Sequence, residues 1–307
     1  MMIMGKQLKR IVLLGAGAIG ILPAARLLNL PEISLLCAAD ADRVKRYRRD
    51  GIFFNSRQLP LTFFSPEEAD NIPPADLIIA ATKMTGLTDA LPNVRGVVAP
   101  DTIFLPVLNG ICAHELIAGY FPNNRVLRGF FLGHASVREG NQIKHDGVGT
   151  FYIGGEEPAL TQVQELFIRS GIDIRIPEDM DAAIWKKFIL NVGINQTQAV
   201  FLADYGTVQK NPHMLDFCRS LMLEAAAVAR AAGVKGSEKM VDDAIQVILS
   251  MPGEVKTSML QDILACRRTE LAAFAGTICT LAKRYRIPVP ENKKILEKIS
   301  RLENSRQ

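Results

Sequence analysis

The chain has 307 residues, 48% of them hydrophobic and 22% charged, an ordinary globular composition with enough length for two domains with sizeable cores. Its net charge of +4 suits anionic small molecules and falls short of a nucleic-acid footprint. Cys37, Cys112, Cys218, Cys266 and Cys279 are odd in number, scattered and without C-x-x-C spacing, which points away from a disulfide framework and from a metal site.

Taken in order, the chain opens on MMIMGKQLKR, which lacks the apolar region of a signal peptide. No apolar run is long enough to span a bilayer, so the expected location is cytoplasmic. The apolar run Ile11–Leu14, headed by Lys9-Arg10, reads as a buried parallel strand. It breaks into Gly15-Ala16-Gly17-Ala18-Ile19-Gly20, and a helix-like segment, Ile21–Leu30, follows. Strand, G-x-G-x-x-G turn and helix stand in the order that a dinucleotide site requires. Gly15 permits the tight turn, Gly17 admits a pyrophosphate to the backbone, and Gly20 lets the helix pack closely on the strand. The phosphates would then meet N–H groups at the start of the helix, where the macrodipole favours negative charge. Glycines also mark ordinary turns, so the flanking strand, the helix and an acid further on carry the inference.

Ile33–Ala38 reads as a second buried strand, with Asp40 at its end, twenty residues after Gly20. That is where such folds place an acid on the adenosine ribose, and a carboxylate there repels a 2′-phosphate, which favours NAD. Asp40 or Asp42 can equally cap the helix that begins near Arg43, and the two roles can coexist. Arg43 lies close enough to offer a phosphate contact, although its basic run through Arg49 also suits a solvated helix face. Leu77–Ala81 and Ile103–Leu108 are further strands, ending at Lys83 and at Asn109-Gly110. Ligands of open parallel sheets collect outside the carboxyl ends of the strands, which makes Lys83 and Asn109 candidate cofactor contacts. A surface lysine and an Asn-Gly turn are the plain alternatives.

From Arg125 to Gly155 the pattern changes to short strands and turns, and Gln142–His145 with Thr150–Ile153 reads as a hairpin through Asp146-Gly147. His134 and His145 have no partner identifiable nearby and read as structural or exposed histidines. Leu160–Arg169 reads as a helix, Ile172–Ile176 as the last strand, and Pro177–Met180 as a hinge. Beyond Asp181, helices are readable near 181–202, 212–232, 237–250, 258–264, 267–285 and 291–303. The expected fold is α/β: a Rossmann-type parallel-sheet N-terminal domain over residues 1–177, then an all-helical C-terminal domain over 178–307, with catalysis in a cleft between them.

The first helix of that second half carries Lys187, Asn191 and Asn195 at i, i+4 and i+8, a polar ridge among Trp185, Phe188, Ile189, Leu190, Val192 and Ile194. Polar groups so placed lose free energy unless they find partners, and a lysine with two carboxamides can grip an oxygen-rich anion. An amphipathic helix with its wet face outward is the competing explanation. Ser258 with Gln261 fits a capping box, and Glu270 near a helix start is favourable without any catalytic purpose.

Together these residues give a chain that resembles the ketopantoate reductase (2-dehydropantoate 2-reductase) family along essentially its whole length. The matching landmarks are GAGAIG at 15–20, Lys83, LNG at 108–110, WKKFILNVGIN at 185–195, SMLQD at 258–262 and TE at 269–270. The glycine turn is common to many dehydrogenases, whereas the W-x-K-x-x-x-N-x-x-x-N helix followed by S-M-x-x-D and T-E is far more specific. The resemblance implies an oxidoreductase that reduces the 2-keto group of a branched hydroxy-keto acid with a nicotinamide cofactor. It makes Lys187 the catalytic lysine, Glu270 the active-site glutamate, Asn191 and Asn195 substrate-gripping asparagines and Ser258 a carboxylate-binding serine. It also sets Asn109 beside the nicotinamide ribose.

Three departures stand out. Family members often carry arginine where Asp40 stands, so the resemblance favours NADP while Asp40 favours NAD. The family's E-I-D-x-x-N-G is Glu270-Leu-Ala272-Ala-Phe-Ala275-Gly276 here, which implies a more apolar or differently filled pocket. A glutamine common three residues after the Lys83 position is Gly86. The competing readings are a reductase of a different branched 2-keto acid and a non-catalytic dinucleotide sensor, the latter opposed by retention of the whole polar set. The expected partner is a small-molecule 2-keto acid, with neither nucleic acid nor membrane; a homodimer is compatible with the sequence and not dictated by it.

Overall fold

A computed structural model describes residues 6–133 and 136–304, so His134 lies outside the described residues. The chain divides after Met180 into two units. In the first, β1 (Arg10–Leu14), β2 (Ser34–Ala38), β5 (Thr62–Phe64), β6 (Leu77–Ala80), β7 (Ile103–Pro106) and β8 (Arg125–Val126) form one sheet in the order β5-β2-β1-β6-β7-β8. All of its pairings are parallel, with Val12 opposite Leu36 and Ile78. Ile11, Leu13, Leu77, Ile79, Ile103 and Leu105 point into one core. Val12, Leu14, Ile78, Ala80 and Phe104 point into another on the opposite face. With both faces covered, the two-residue alternation of a strand puts every side chain in an apolar layer, so the sequence reads as unbroken apolar runs.

Helices α1 (Ile21–Leu27), α2 (Ala41–Asp50), α3 (Leu87–Ala90) and α4 (Ala113–Tyr120) follow strands of this sheet. The first is three residues shorter than the sequence suggests, because the chain turns at Leu28–Asn29. Immediately before β6, Asp76 is buried and accepts the backbone N–H groups of Lys9 and Arg10 as well as the side chains of Arg10 and Lys6. Burial pushes its carboxyl up, but these donors more than offset that and hold it at about 2. The start of β1 is thereby tied to the start of β6.

The hairpin expected between residues 142 and 153 does not form. Strand β11 (Gln142–Lys144) pairs antiparallel with β10 (Val137–Glu139) and parallel with β3 (Phe53–Phe54), which in turn pairs with β4 (Arg57–Gln58). Strand β12 (Gly149–Gly154) instead pairs antiparallel with β9 (Arg128–Gly133) and parallel with β13 (Ile174–Arg175). Asp146-Gly147 therefore joins two different small sheets, in which the partners β3, β9 and β13 lie too far along the chain for a turn motif to reveal. His145 is buried and structural: its backbone exchanges two hydrogen bonds with the Asn55 carboxamide, and its Nδ1 lies 3.0 Å from Ser136 Oγ. Helix α5 (Ala159–Arg169) also belongs to this unit.

No strand follows β13 among the described residues. The second unit is built from α6 (Met180–Phe201), α7 (Tyr205–Lys210), α8 (Pro212–Ala231), α9 (Ser237–Ser250), α10 (Ser258–Leu264), α11 (Ala275–Tyr285) and α12 (Pro290–Asn304). Helix α7 was not expected; Asp204 caps it by accepting the Thr207 N–H. The cap of α10 is Thr257 rather than Ser258, since the Thr257 hydroxyl accepts from Leu260 N–H. The helix read over 267–285 begins only at Ala275; a 3-10 turn, Leu271–Ala273, and the non-helical Phe274 precede it.

Candidate active site

The glycine turn leaves β1 with Gly15 at φ +107°, a region that L side chains avoid. A Cβ there would lie 2.7 Å from the Ala81 carbonyl carbon and from Thr82 N, and one on Gly20 would lie 2.2 Å from Gly15 O. A Cβ on Gly17 would meet only Ala81 O, at 3.9 Å. Two glycines are thus demanded by close packing, while the third keeps the outer side of the turn clear, the arrangement that a pyrophosphate needs. These residues fit a dinucleotide, and Gly15, Ala16, Gly17, Ala18, Ile19 and Gly20 would hold its phosphates.

At the end of β2, Asp40 caps α2: Oδ1 accepts Arg43 N–H at 2.8 Å, and Oδ2 pairs with Arg43 Nη1 at 3.0 Å. Capping is therefore real, and Arg43 is drawn to the carboxylate. Lys83 is exposed ahead of the 3-10 turn Met84–Gly86. Asn109 is half-buried in the loop after β7. Sequence reasoning passed over Arg138, which reaches from β10 to donate through Nη1 to Ala16 O at 2.8 Å. At a separation of 122 positions, no local pattern could have placed a guanidinium on the glycine turn.

In the second unit, α6 carries Lys187, Asn191 and Asn195; the first two are half-buried and Asn195 is buried. Glu270 is buried at 6% exposure, on the segment between α10 and α11, and its charge acts on Lys187. Burial lowers the Lys187 ammonium to about 8, against the opposing pull of Glu270. A lysine poised there can hold or release a proton near neutral pH. Ser258 is exposed in the first turn of α10 and, since Thr257 does the capping, has no role in starting the helix.

Two glutamines missed from the sequence tie these segments together. Gln198 Oε1 accepts Thr257 N–H at 2.8 Å, and Gln196 Oε1 accepts Ala275 N–H at 3.1 Å. Both are fully buried on α6. Their only sequence signal is the run Asn195-Gln-Thr-Gln198, four polar residues where a core helix should be apolar. Of the two departures near Glu270, Ala272 is exposed and Ala275 buried. Among the described residues no group of three or more His, Cys, Asp or Glu side chains is arranged to hold a metal ion. No helix among them is long and apolar enough to cross a membrane.

A glycine turn joining a parallel sheet to its first helix, with a helical unit bearing a lysine and a glutamate, defines a dinucleotide-dependent oxidoreductase. The chain belongs to the ketopantoate reductase PanE/ApbA family: that family's model matches residues 11–157, and its C-terminal model matches residues 179–303. A 2-dehydropantoate 2-reductase of Pyrococcus horikoshii is 29% identical over 289 residues, 92% of this chain and 94% of that protein. The crystal structure of a 2-dehydropantoate 2-reductase from Geobacter metallireducens, 25% identical, matches 95% of this chain and 99% of its own with a TM-score of 0.81. A D-mandelate dehydrogenase in a ternary structure with NADH and anilino(oxo)acetate shares the fold at 21% identity, with a TM-score of 0.86 over 97% of this chain and 99% of its own.

Proposed function

We propose that this protein reduces a 2-keto acid, with 2-dehydropantoate the first candidate, to the 2-hydroxy acid. The bound nicotinamide cofactor supplies the hydride. The observation that carries the reading is Lys187, an ammonium drawn down to about 8 by burial and held charged by Glu270 on a helix that also presents Asn191 and Asn195. As negative charge grows on the carbonyl oxygen, Lys187 stabilises it and delivers the proton, an interaction strongest in the transition state. Asn191, Asn195 and Ser258 hold the carboxylate and hydroxyl oxygens of the substrate, and Glu270 orients the substrate or the lysine.

The cofactor-holding residues in this reading are the glycine turn, Asp40, Lys83 and Asn109. NADH is preferred, because Asp40 opposes a 2′-phosphate and Arg43, a neighbouring cation able to neutralise one, is paired with it. A second reading, a different branched 2-keto acid, draws support from Ala272 and Ala275, which leave the vicinity of Glu270 less polar than the family pattern. The test is a panel of 2-keto acids assayed with NADH and NADPH separately. Turnover of 2-dehydropantoate with the higher kcat/KM for NADH is expected. Preference for a more apolar keto acid would favour the second reading, and no turnover of any member would refute both.

A further inference from the structure

The segment that carries Glu270 is held at both ends by side chains that play no part in the reading above. On its N-terminal side, Glu303 in α12 accepts both the N–H of Thr269, at 2.8 Å, and its hydroxyl, at 2.6 Å. The same hydroxyl accepts Leu271 N–H at 3.2 Å, so Thr269 bridges over Glu270. On the C-terminal side, Glu270 O accepts Ala273 N–H and Phe274 N–H, and the next residue, Ala275, gives its N–H to Gln196. Gln196 is itself locked. Its Nε2 donates to Val192 O at 2.7 Å and to Asn292 Oδ1 at 3.4 Å, and Asn292 donates in turn to Glu224 and to Leu221 O. Thr269, Gln196 and Asn292 are all at or below 2% exposure.

We propose that Glu303 and Gln196 are positioning residues that clamp Thr269–Ala275 at its two ends and so fix the Glu270 carboxylate relative to Lys187. The assignment rests on Lys187 and Glu270 acting as the pair described above. Gln196 has both ends of its carboxamide engaged within the protein, and Glu303 binds Thr269 through one oxygen, Oε1. Each spends its acceptor on a backbone N–H next to the turn, as support for a functional carboxylate requires. A segment with no more regular structure than one 3-10 turn has few hydrogen bonds of its own to hold one geometry. The buried Gln196 on α6 and the half-buried Glu303 on α12 supply them. The other carboxylates nearby are accounted for: Asp262 pairs with Arg267, and Glu224 accepts the N–H groups of Glu291 and Asn292.

The test reads Lys187 directly. Labelling by an amine-reactive reagent across pH, followed by peptide mass spectrometry, reports the titration of this one amine in the intact protein and needs no turnover. In Glu303→Ala, and in Gln196→Met, which keeps the shape but removes the acceptor, Glu270 should drift and Lys187 should lose part of its stabilised charge. Labelling of Lys187 at neutral pH should then be about three- to fivefold faster than in the wild type. Glu303→Gln keeps an oxygen acceptor and should restore the wild-type rate, which a merely electrostatic effect of Glu303 would not. In the assay both disruptive variants should lower kcat by about tenfold or more, with cofactor affinity unchanged. Wild-type labelling of Lys187 in both Glu303→Ala and Gln196→Met would overturn the clamp, as would failure of Glu303→Gln to restore it. If the wild type turned over no keto acid, the reductase reading would fall while the labelling still decided the clamp.

Discussion

The glycine turn of the first unit and the polar ridge of α6 in the second solve opposite problems. The turn works by what its residues lack: Gly15 and Gly20 have no side chain because neighbouring backbone stands where one would be. The ridge works by what its residues carry, and its helix is tied to segments 59 and 79 residues later, at Thr257 and Ala275, with Glu303 later still. A site made of backbone is written in one stretch of sequence. A site made of side chains is written in several, and its supports are written furthest away.

That contrast can be broken most sharply at Lys187. Lys187→Ala should lower kcat by roughly two to four orders of magnitude with cofactor affinity little changed. In the wild type, reduction should decline as pH rises past about 8, because the lysine must be protonated to donate. A near wild-type rate in the variant, measured with a good keto acid, would mean that the ridge is structural. The turn makes the reverse prediction. Gly15→Ala, strained by its φ and by backbone at 2.7 Å, should weaken NADH binding by more than about tenfold in titration calorimetry, while kcat at saturation stays within about threefold.

Asp76 marks the difference in how the two units use charge. Its carboxyl is held below the ordinary value, so its contribution to stability is complete above about pH 4 and is lost as pH falls toward 2. Asp76→Asn should cost about 2 kcal/mol near neutral pH and progressively less in acid, as denaturant midpoints at several pH values would show, with kcat unaltered. The smallest effect belongs to Asp40. Asp40→Ser keeps a capping oxygen, removes the charge and frees Arg43, so the NADPH-to-NADH ratio of kcat/KM should rise by about tenfold. An unchanged ratio would remove Asp40 from cofactor choice.

The same contrast explains what could be read in advance. Strands β1, β2, β6 and β7 were legible because a parallel strand buried on both faces is a plain apolar run. Lys187, Asn191 and Asn195 were legible as a ridge because one helix turn repeats along one segment. The pairing of β11 with β3 and of β12 with β9 was not, since those partners are not adjacent in sequence. Nor was the break before Ala275, where a run of helix-forming residues gives way to a turn held by Glu303 and Gln196. Thr257 and Ser258 are chemically equivalent as caps, and only the geometry chooses between them.

The run from Asn195 to Gln198 bears on the order in which the chain is made. Helix α6 leaves the ribosome with two glutamines whose acceptors are destined for backbone groups of Thr257 and Ala275, still unsynthesised. Until those arrive, burying α6 would strand its carboxamides, so the nascent helix has reason to stay wet and uncommitted. The second unit should therefore close late and all at once, and a chain stopped short of Thr257 should expose α6 to chaperones and proteases instead of leaving a smaller folded core.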